Sequence, residues 1–337
     1  MAKKKNTIIV SFQQEMAQHA LGEILTTDGQ AQETQLDGET AAVLTALDFK
    51  KLSSIFAKHP PVFLRHIHPV DTVAALDGSN DVDIIVNAVK QLELSISRPF
   101  SVQSRILLKN ERSYTPFDLN KAVSSLFDAA LLNVKEPEAV ISITVHQDNA
   151  YIGFSTVKEN LSSWAGGRIR FAREPELISR AEFKLLEAQS TFGFNIHKGA
   201  RVLDLGAAPG GWSRIANAQG ASVVAVDPAL LDQRLSKKSG ITHVRATAQE
   251  YLEQVQDEFD FILNDMRMAP EESAVLINRF HPYLKEGGTV VLTLKLFGEQ
   301  PRRQMLKAIA LLEDYYRLVG VRQLFHNRSE VTVILKK

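Results

Sequence analysis

The chain has 337 residues, 45% of them hydrophobic and 23% charged, with 39 basic side chains balancing 39 acidic ones and no cysteine. That length exceeds one ordinary core and calls for two or three domains. The cancelled charge excludes a global pull toward nucleic acid or an anionic membrane, and the missing cysteines exclude disulfides and thiolate metal sites.

The opening MAKKKNTIIVSFQQEM is basic, but its apolar run is too short for a secretory leader. No run of about 18 apolar residues follows, so a cytoplasmic protein without a membrane span is expected. TIIVSF (7–12) reads as a strand and QQEMAQHALGEIL as a helix. TAAVLTAL and VFLRHIHPV read as strands around a helical FKKLSSIFAKH, and VDIIVNAVKQL as another helix. This alternation predicts a small α+β unit over residues 1–95. His66 and His68 lie two apart on one strand and face the same way, but without further ligands they make no metal site, and no metal is expected.

A second small unit is predicted over 96–163. It comprises a strand in RPFSVQSRILL and a helix in TPFDLNKAVSSLFDAALL, with Thr115 as N-cap and Pro116 at N1. Two strands joined by QDNA follow in AVISITVHQDNAYIGFS. Residues 164–178 form a connector in which Arg168, Arg170 and Arg173, with Arg180 just beyond, accompany Trp164 and Phe171. Such a cluster suits phosphate contact and base stacking, or equally a solvated linker.

From 179 to 337 the rhythm is that of a mostly parallel, doubly wound α/β sheet: ARVLDLG, SVVAVD, FDFILND and TVVLTLKLF are compact strands separated by helical stretches. In the tail, RLVGVRQLF and EVTVIL are joined too closely for a parallel crossover, so the last strand must run antiparallel. VLDLGAAPGGWSRIA is a strand, a glycine turn and a helix start. Gly206, Gly210 and Gly211 allow close backbone approach, and the helix start suits a carboxylate or phosphate. The loop lacks the Lys-Ser/Thr pair of a P-loop and the G-x-G-x-x-G of a dinucleotide site. Asp227 ends the next strand, where an acid holds ribose hydroxyls. A ligand with a carboxylate at one end and a ribose at the other fits S-adenosyl-L-methionine.

Asp265 and Lys295 end two parallel strands, and Glu330 opens the antiparallel one, so topology alone brings all three to one sheet edge. Lys184, in the helical SRAEFKLLEA, reads by itself as a snorkelling lysine. The ordered set SRAEFKL, DLGAAPGGWS, NDMRMAP, LTLKLFG and NRSEVTVIL resembles the FtsJ-like ribose 2′-O-methyltransferases, and within them the ribosomal RNA large subunit methyltransferase M group. The resemblance covers about residues 164–337 and implies a Rossmann-like class I methyltransferase sheet, with S-adenosyl-L-methionine as cofactor. It implies a Lys-Asp-Lys-Glu tetrad on Lys184, Asp265, Lys295 and Glu330, with Lys295 as base. Ferredoxin-like and THUMP units in front would match residues 1–95 and 96–163. Ser179, Gly206, Ala208, Pro209, Gly210, Gly211, Trp212, Asp227, Thr247 and Asp265 are then the expected donor contacts, and Arg168, Arg170, Arg173 and Arg180 the RNA contacts. Where the family often carries an adenine-binding acid, HVRATAQEY has Thr247, with Glu250 three residues later. The implied partner is RNA, ribosomal or else transfer RNA. A non-catalytic RNA-binding assembly factor is the rival from another class.

Overall fold

The computed structural model describes residues 5–107, 112–172, 174–235 and 237–337. The chain divides into two units, the first ending at Ile169 and the second beginning at Arg170. In the first, β1 (Asn6–Phe12), α1 (Ala17–Thr27), β2 (Gln32–Asp37), β3 (Thr40–Thr45), α2 (Phe49–Lys58) and β4 (Leu64–Val70) build an antiparallel sheet of order β2-β3-β1-β4. The apolar run of β1 is central and buried, as its sequence requires. By contrast β2 is an edge strand of polar, solvent-facing residues, QETQLD, and carries no hydrophobic alternation to announce it. His66 and His68 are both buried. His68 bonds the Pro69 carbonyl and the Thr144 hydroxyl, and burial pushes its pKa down to about 4, so it is a neutral core histidine.

The second sheet of this unit contains β5 (Thr72–Ala75), β6 (Phe100–Ile106), β7 (Ala139–His146) and β8 (Asn149–Thr156) in the order β5-β8-β7-β6, with α3 (Asp81–Gln91) and α4 (Pro116–Ser124). Thr115 and Asp118 form a reciprocal capping box that starts α4, with Pro116 in its first turn. The helix expected to reach Leu132 stops at Ser124. The Ser124 and Ser125 hydroxyls bond back to the carbonyls of Lys121 and Ala122, competing with helix continuation. The expected boundary at residue 95 is also displaced. Thr72–Ala75 pairs with β8, and Ile85 and Val89 of α3 share one core with Phe100 and Ile141, so the two sheets part near residue 71. Hydrophobic burial, rather than helix–strand rhythm, decides where that layer begins.

The second unit runs α5 (Glu182–Phe192), β9 (Arg201–Leu205), α6 (Gly211–Ala218), β10 (Ser222–Val226), β11 (Ile241–Val244), α7 (Ala248–Leu252), β12 (Phe259–Asn264), α8 (Pro270–Arg279), β13 (Leu284–Lys295), α9 (Pro301–Glu313), β14 (Arg317–Arg322) and β15 (Glu330–Lys336). Its seven strands are ordered β11-β10-β9-β12-β13-β15-β14. All pairs from β11 to β13 are parallel, and β15 is antiparallel to both neighbours. This is the predicted α/β sheet with its reversed last strand. Val202, Phe261, Val291 and Ile334 form one core with Leu185 of α5 and Trp212 of α6. Chain order departs in opposite directions from β9, to β10 on one side and β12 on the other, so the loop after β9 opens at a topological switch point. Among the described residues, no helix is long and apolar enough to cross a membrane.

Candidate active site

The glycine loop earns its composition sterically. Gly206 has φ +69°, and a Cβ there would lie 2.1 Å from the Met266 Cγ. Gly210 has φ +107°, and a Cβ would lie 2.3 Å from a methyl carbon of Leu235. Both positions combine a left-handed backbone with no room for a side chain. The loop and the ends of β10 and β12 enclose a cleft of about 440 Å³. Gly206, Ala208, Asp227, Thr247 and Asp265 line it, together with Met266, Arg267 and Gln249. The Asp227 carboxylate accepts the Ala208 N–H at 3.0 Å and the Ala229 N–H at 2.7 Å, one on each oxygen, so each oxygen keeps a further acceptor site.

Beside this cleft lies a closed ion-pair ring. The β13–β15 register sets Lys295 directly opposite Glu330, and their side chains meet at 2.5 Å. Lys295 also reaches Asp265 Oδ1 at 2.6 Å. Lys184, from the first turn of α5, reaches both Asp265 oxygens at 3.1 Å and Glu330 at 2.5 Å. Two ammoniums therefore alternate with two carboxylates. Thr293, two residues before Lys295 and on the same face of β13, donates to Asp265 at 2.6 Å, and Asn327 donates to Glu330 at 3.5 Å.

A third carboxylate, Glu187, braces the ring from outside. One turn beyond Lys184 on α5 and 5% exposed, it accepts the backbone N–H groups of Phe325 and His326 and meets the His326 Nδ1 at 2.7 Å. The helix that carries Lys184 thus also fixes the loop leading to Asn327 and Glu330. His326 in turn packs against Phe183 and Phe171.

Burial opposes the charge on Lys184, but Asp265 and Glu330 more than offset it and hold the ammonium above the ordinary lysine range. Burial likewise opposes the charge on Asp265, and Lys295 and Lys184 overcome it, holding that carboxyl below its usual range. Behind the glycine loop, Asp204 is fully enclosed. Burial pushes it up to about 7, even though the Ser213 hydroxyl donates to it at 2.6 Å.

Of the expected tetrad, all four members come together. Of the expected donor contacts, five line the cleft and five do not. Trp212 is 3% exposed, packed in the core, and its indole N–H donates to the Ala181 carbonyl at 2.7 Å, tying α6 to α5. Ser179 packs against Gly211, where a Cβ would lie 2.5 Å from its hydroxyl oxygen, and that oxygen is buried without a partner. Gly210 packs against Leu235, and Pro209 does not line the cleft. Thr247 and Glu250 bond each other in a reciprocal capping box that starts α7, which commits both side chains to the helix. The motif T-A-Q-E carries that signature in plain view. Among the arginines, Arg168 is paired with Glu39 in the first unit, Arg170 and Arg180 are exposed, and Arg173 lies outside the described residues. The stretch read as one connector from 164 to 178 is divided between the units after Ile169. Sequence reasoning missed Thr293, although its period-two spacing from Lys295 was available, and it missed Asp204, Glu187, Met266 and Arg267. Among the described residues no group of three or more His, Asp or Glu side chains is placed to hold a metal ion.

The second unit thus carries an open, mostly parallel sheet with a glycine loop at its switch point and an ionisable ring beside the loop. Residues 177–330 match the FtsJ-like methyltransferases. The chain is 28% identical over 187 residues to an uncharacterized protein, MJ1257, of Methanocaldococcus jannaschii, covering 54% of this chain and 52% of that one. It is 30% identical over 199 residues to ribosomal RNA large subunit methyltransferase M of Psychromonas ingrahamii, covering 55% and 53%. With the protein of that name from Shewanella halifaxensis it shares 27% identity over 286 residues, covering 79% and 77%. The chain spans about half the length of the first two of these relatives.

Proposed function

We propose that this protein is an S-adenosyl-L-methionine-dependent RNA ribose 2′-O-methyltransferase that acts on large-subunit ribosomal RNA. One observation carries the proposal: Asp265 lines the cleft and at the same time holds both lysines of the ring. A donor in that cleft and an acceptor hydroxyl at the ring would be neighbours.

The cleft residues fit the donor. Gly206 lets the ligand approach the backbone, the spare acceptor sites of Asp227 suit a ribose diol, and Gln249 and backbone groups remain for the adenine once Thr247 and Glu250 are committed to their cap. S-adenosyl-L-methionine would supply a methyl group on a sulfonium leaving group. The ribose hydroxyl is a poor nucleophile, and its proton must leave as the oxygen attacks. Lys295 is the base that takes that proton, once it has released one of its own ammonium protons to solvent. Lys184 keeps its ammonium against Asp265 and Glu330 and orients the pair. Glu330, fixed by Asn327, holds the lysines in register. The first unit is proposed as the RNA-anchoring module, with the exposed Arg170 and Arg180 helping to guide the strand.

Purified protein with labelled donor and unmodified ribosomal and transfer RNA tests this directly, with ribose methylation mapped by mass spectrometry. Methylation of large-subunit ribosomal RNA, lost in Lys295→Ala, is the expected result. Methylation of transfer RNA alone would replace the substrate. No transfer to any RNA, with wild type and variant alike, would overturn the enzyme assignment in favour of an RNA-binding assembly factor.

A further inference from the structure

A second cavity, of about 460 Å³, opens beyond the end of β13. Its walls are the segment that leaves Lys295 and the first turns of α9: Phe297, Gln300, Arg303, Gln304 and Lys307, faced by Glu271. The link to the active site is geometric. Two residues beyond Asp265 stands Arg267, and two beyond Lys295 stands Phe297. The Arg267 guanidinium carbon lies over the Phe297 ring, 5.9 Å from its centroid. Arg267 lines the donor cleft and Phe297 lines the second cavity, so the stacked pair forms the ridge between them.

Phe297 is 43% exposed, which is unusual for a phenylalanine in a segment braced by a hydrogen bond, the Gln304 amide donating to its carbonyl at 2.7 Å. The wall charges decide what could occupy the space. Arg303 is bonded to Gln300, Lys307 lies 3.8 Å from Glu271, and Glu299 adds a further acid. Two cations against two acids give no net attraction for a phosphate. A flat, neutral, aromatic ligand is favoured instead, and the volume lies within the roughly 300–1,000 Å³ typical of small-ligand sites.

We propose that this cavity receives the base of a nucleotide flanking the methylated ribose, stacked on Phe297, while Arg267 backs the ring from the donor side. The proposal rests on the RNA methyltransferase function above and names a substrate subsite for it. Stacking tolerates any base, so the subsite would fix the reach of the strand rather than its sequence.

The test uses the full chain and an RNA substrate whose methylated nucleotide has been mapped, with single abasic substitutions on either side. For the wild type, one flanking abasic position raises KM roughly tenfold to a hundredfold, the range expected for one lost stacking contact. Phe297→Ala raises KM on intact RNA to the same degree and is then insensitive to that abasic position, a non-additive pair. Phe297→Tyr restores the wild-type KM, which separates stacking from a folding defect, and donor affinity measured by calorimetry stays unchanged. A methylating wild type whose KM is the same as that of Phe297→Ala, or additive effects of the two changes, overturns the subsite alone. A wild type that methylates no RNA overturns the proposed function and the subsite with it.

Discussion

Replacing Lys184 by alanine separates a catalytic lysine from a structural one. Its ammonium makes three contacts, two to Asp265 at 3.1 Å and one to Glu330 at 2.5 Å. Removing one partner of a buried pair costs about 3–5 kcal/mol when it leaves a charge uncompensated. Here neither carboxylate is abandoned: Asp265 keeps Lys295 and Thr293, and Glu330 keeps Lys295 and Asn327. The side chains of Lys184 and Asp265 are also 16% and 17% exposed, so water can enter. The stability loss should therefore be about 1–2 kcal/mol, or roughly 2–8 °C in Tm. Because the folded-state pKa of Lys184 is raised, its contribution is fully present below the unfolded lysine value and disappears only as pH rises through the folded one. The deficit of the variant should therefore be flat across neutral pH and vanish only in strong alkali. Turnover should fall much further, by about 10²–10⁴, the range for a group that positions a proton transfer. Donor affinity should hold, since Lys184 does not line the cleft. Lys184→Arg should not rescue turnover, because a guanidinium fork cannot reproduce the three contacts of a compact ammonium. Single-turnover methylation of RNA, calorimetric donor binding and thermal melts together decide the matter. A turnover loss below about tenfold, or one that merely follows the folded fraction, would return Lys184 to the role of a snorkelling side chain.

Asp204→Asn should flatten a pH dependence of stability. With its folded pKa raised to about 7, the wild-type carboxyl contributes fully below the unfolded value near 4 and loses that contribution, up to about 4 kcal/mol, as pH rises through 7. Melting curves at pH 5 and pH 8 that shift equally in both proteins would refute this. Gly206→Ala should strain a backbone at φ +69° by about 1–2 kcal/mol and drive Met266 into the cleft, weakening donor binding roughly tenfold or more in calorimetry. Glu187→Gln leaves one carbonyl oxygen where two carboxylate oxygens served two N–H groups and His326. It should lower kcat about tenfold with donor affinity intact, and an unchanged kcat would make the brace dispensable.

What was legible in the sequence follows from what each signal encodes. The sheet was legible because buried parallel strands are short, uniformly apolar runs, and because a brief connection between the last two strands forces the reversal seen in β15. That reversal also places Glu330 beside Lys295, so with Asp265 at the end of β12 three of the four ring members were a matter of topology. The boundary within the first unit was not legible. Thr72–Ala75 and α3 follow the first sheet without a break in composition, and only their packing against Phe100 and Ile141 assigns them to the second.

The donor contacts divide by the same physics. A glycine-rich turn declares that backbone and ligand approach closely, and Gly206 and Ala208 do line the cleft. The motif does not declare which neighbours spend their side chains on the fold. Trp212 bonds the Ala181 carbonyl inside the core, because the helix carrying Lys184 must be clamped to the helix that opens after the loop. Glu187 performs the corresponding task at the other end, holding residues 325 and 326 so that Asn327 and Glu330 face the lysines. Lys184 alone is an ambiguous edge residue. It becomes an aimed ammonium because α5 is fixed on one side by Trp212 and, through Glu187, to the loop before β15 on the other. If either clamp were cut, the ring should lose its geometry before the unit loses its fold.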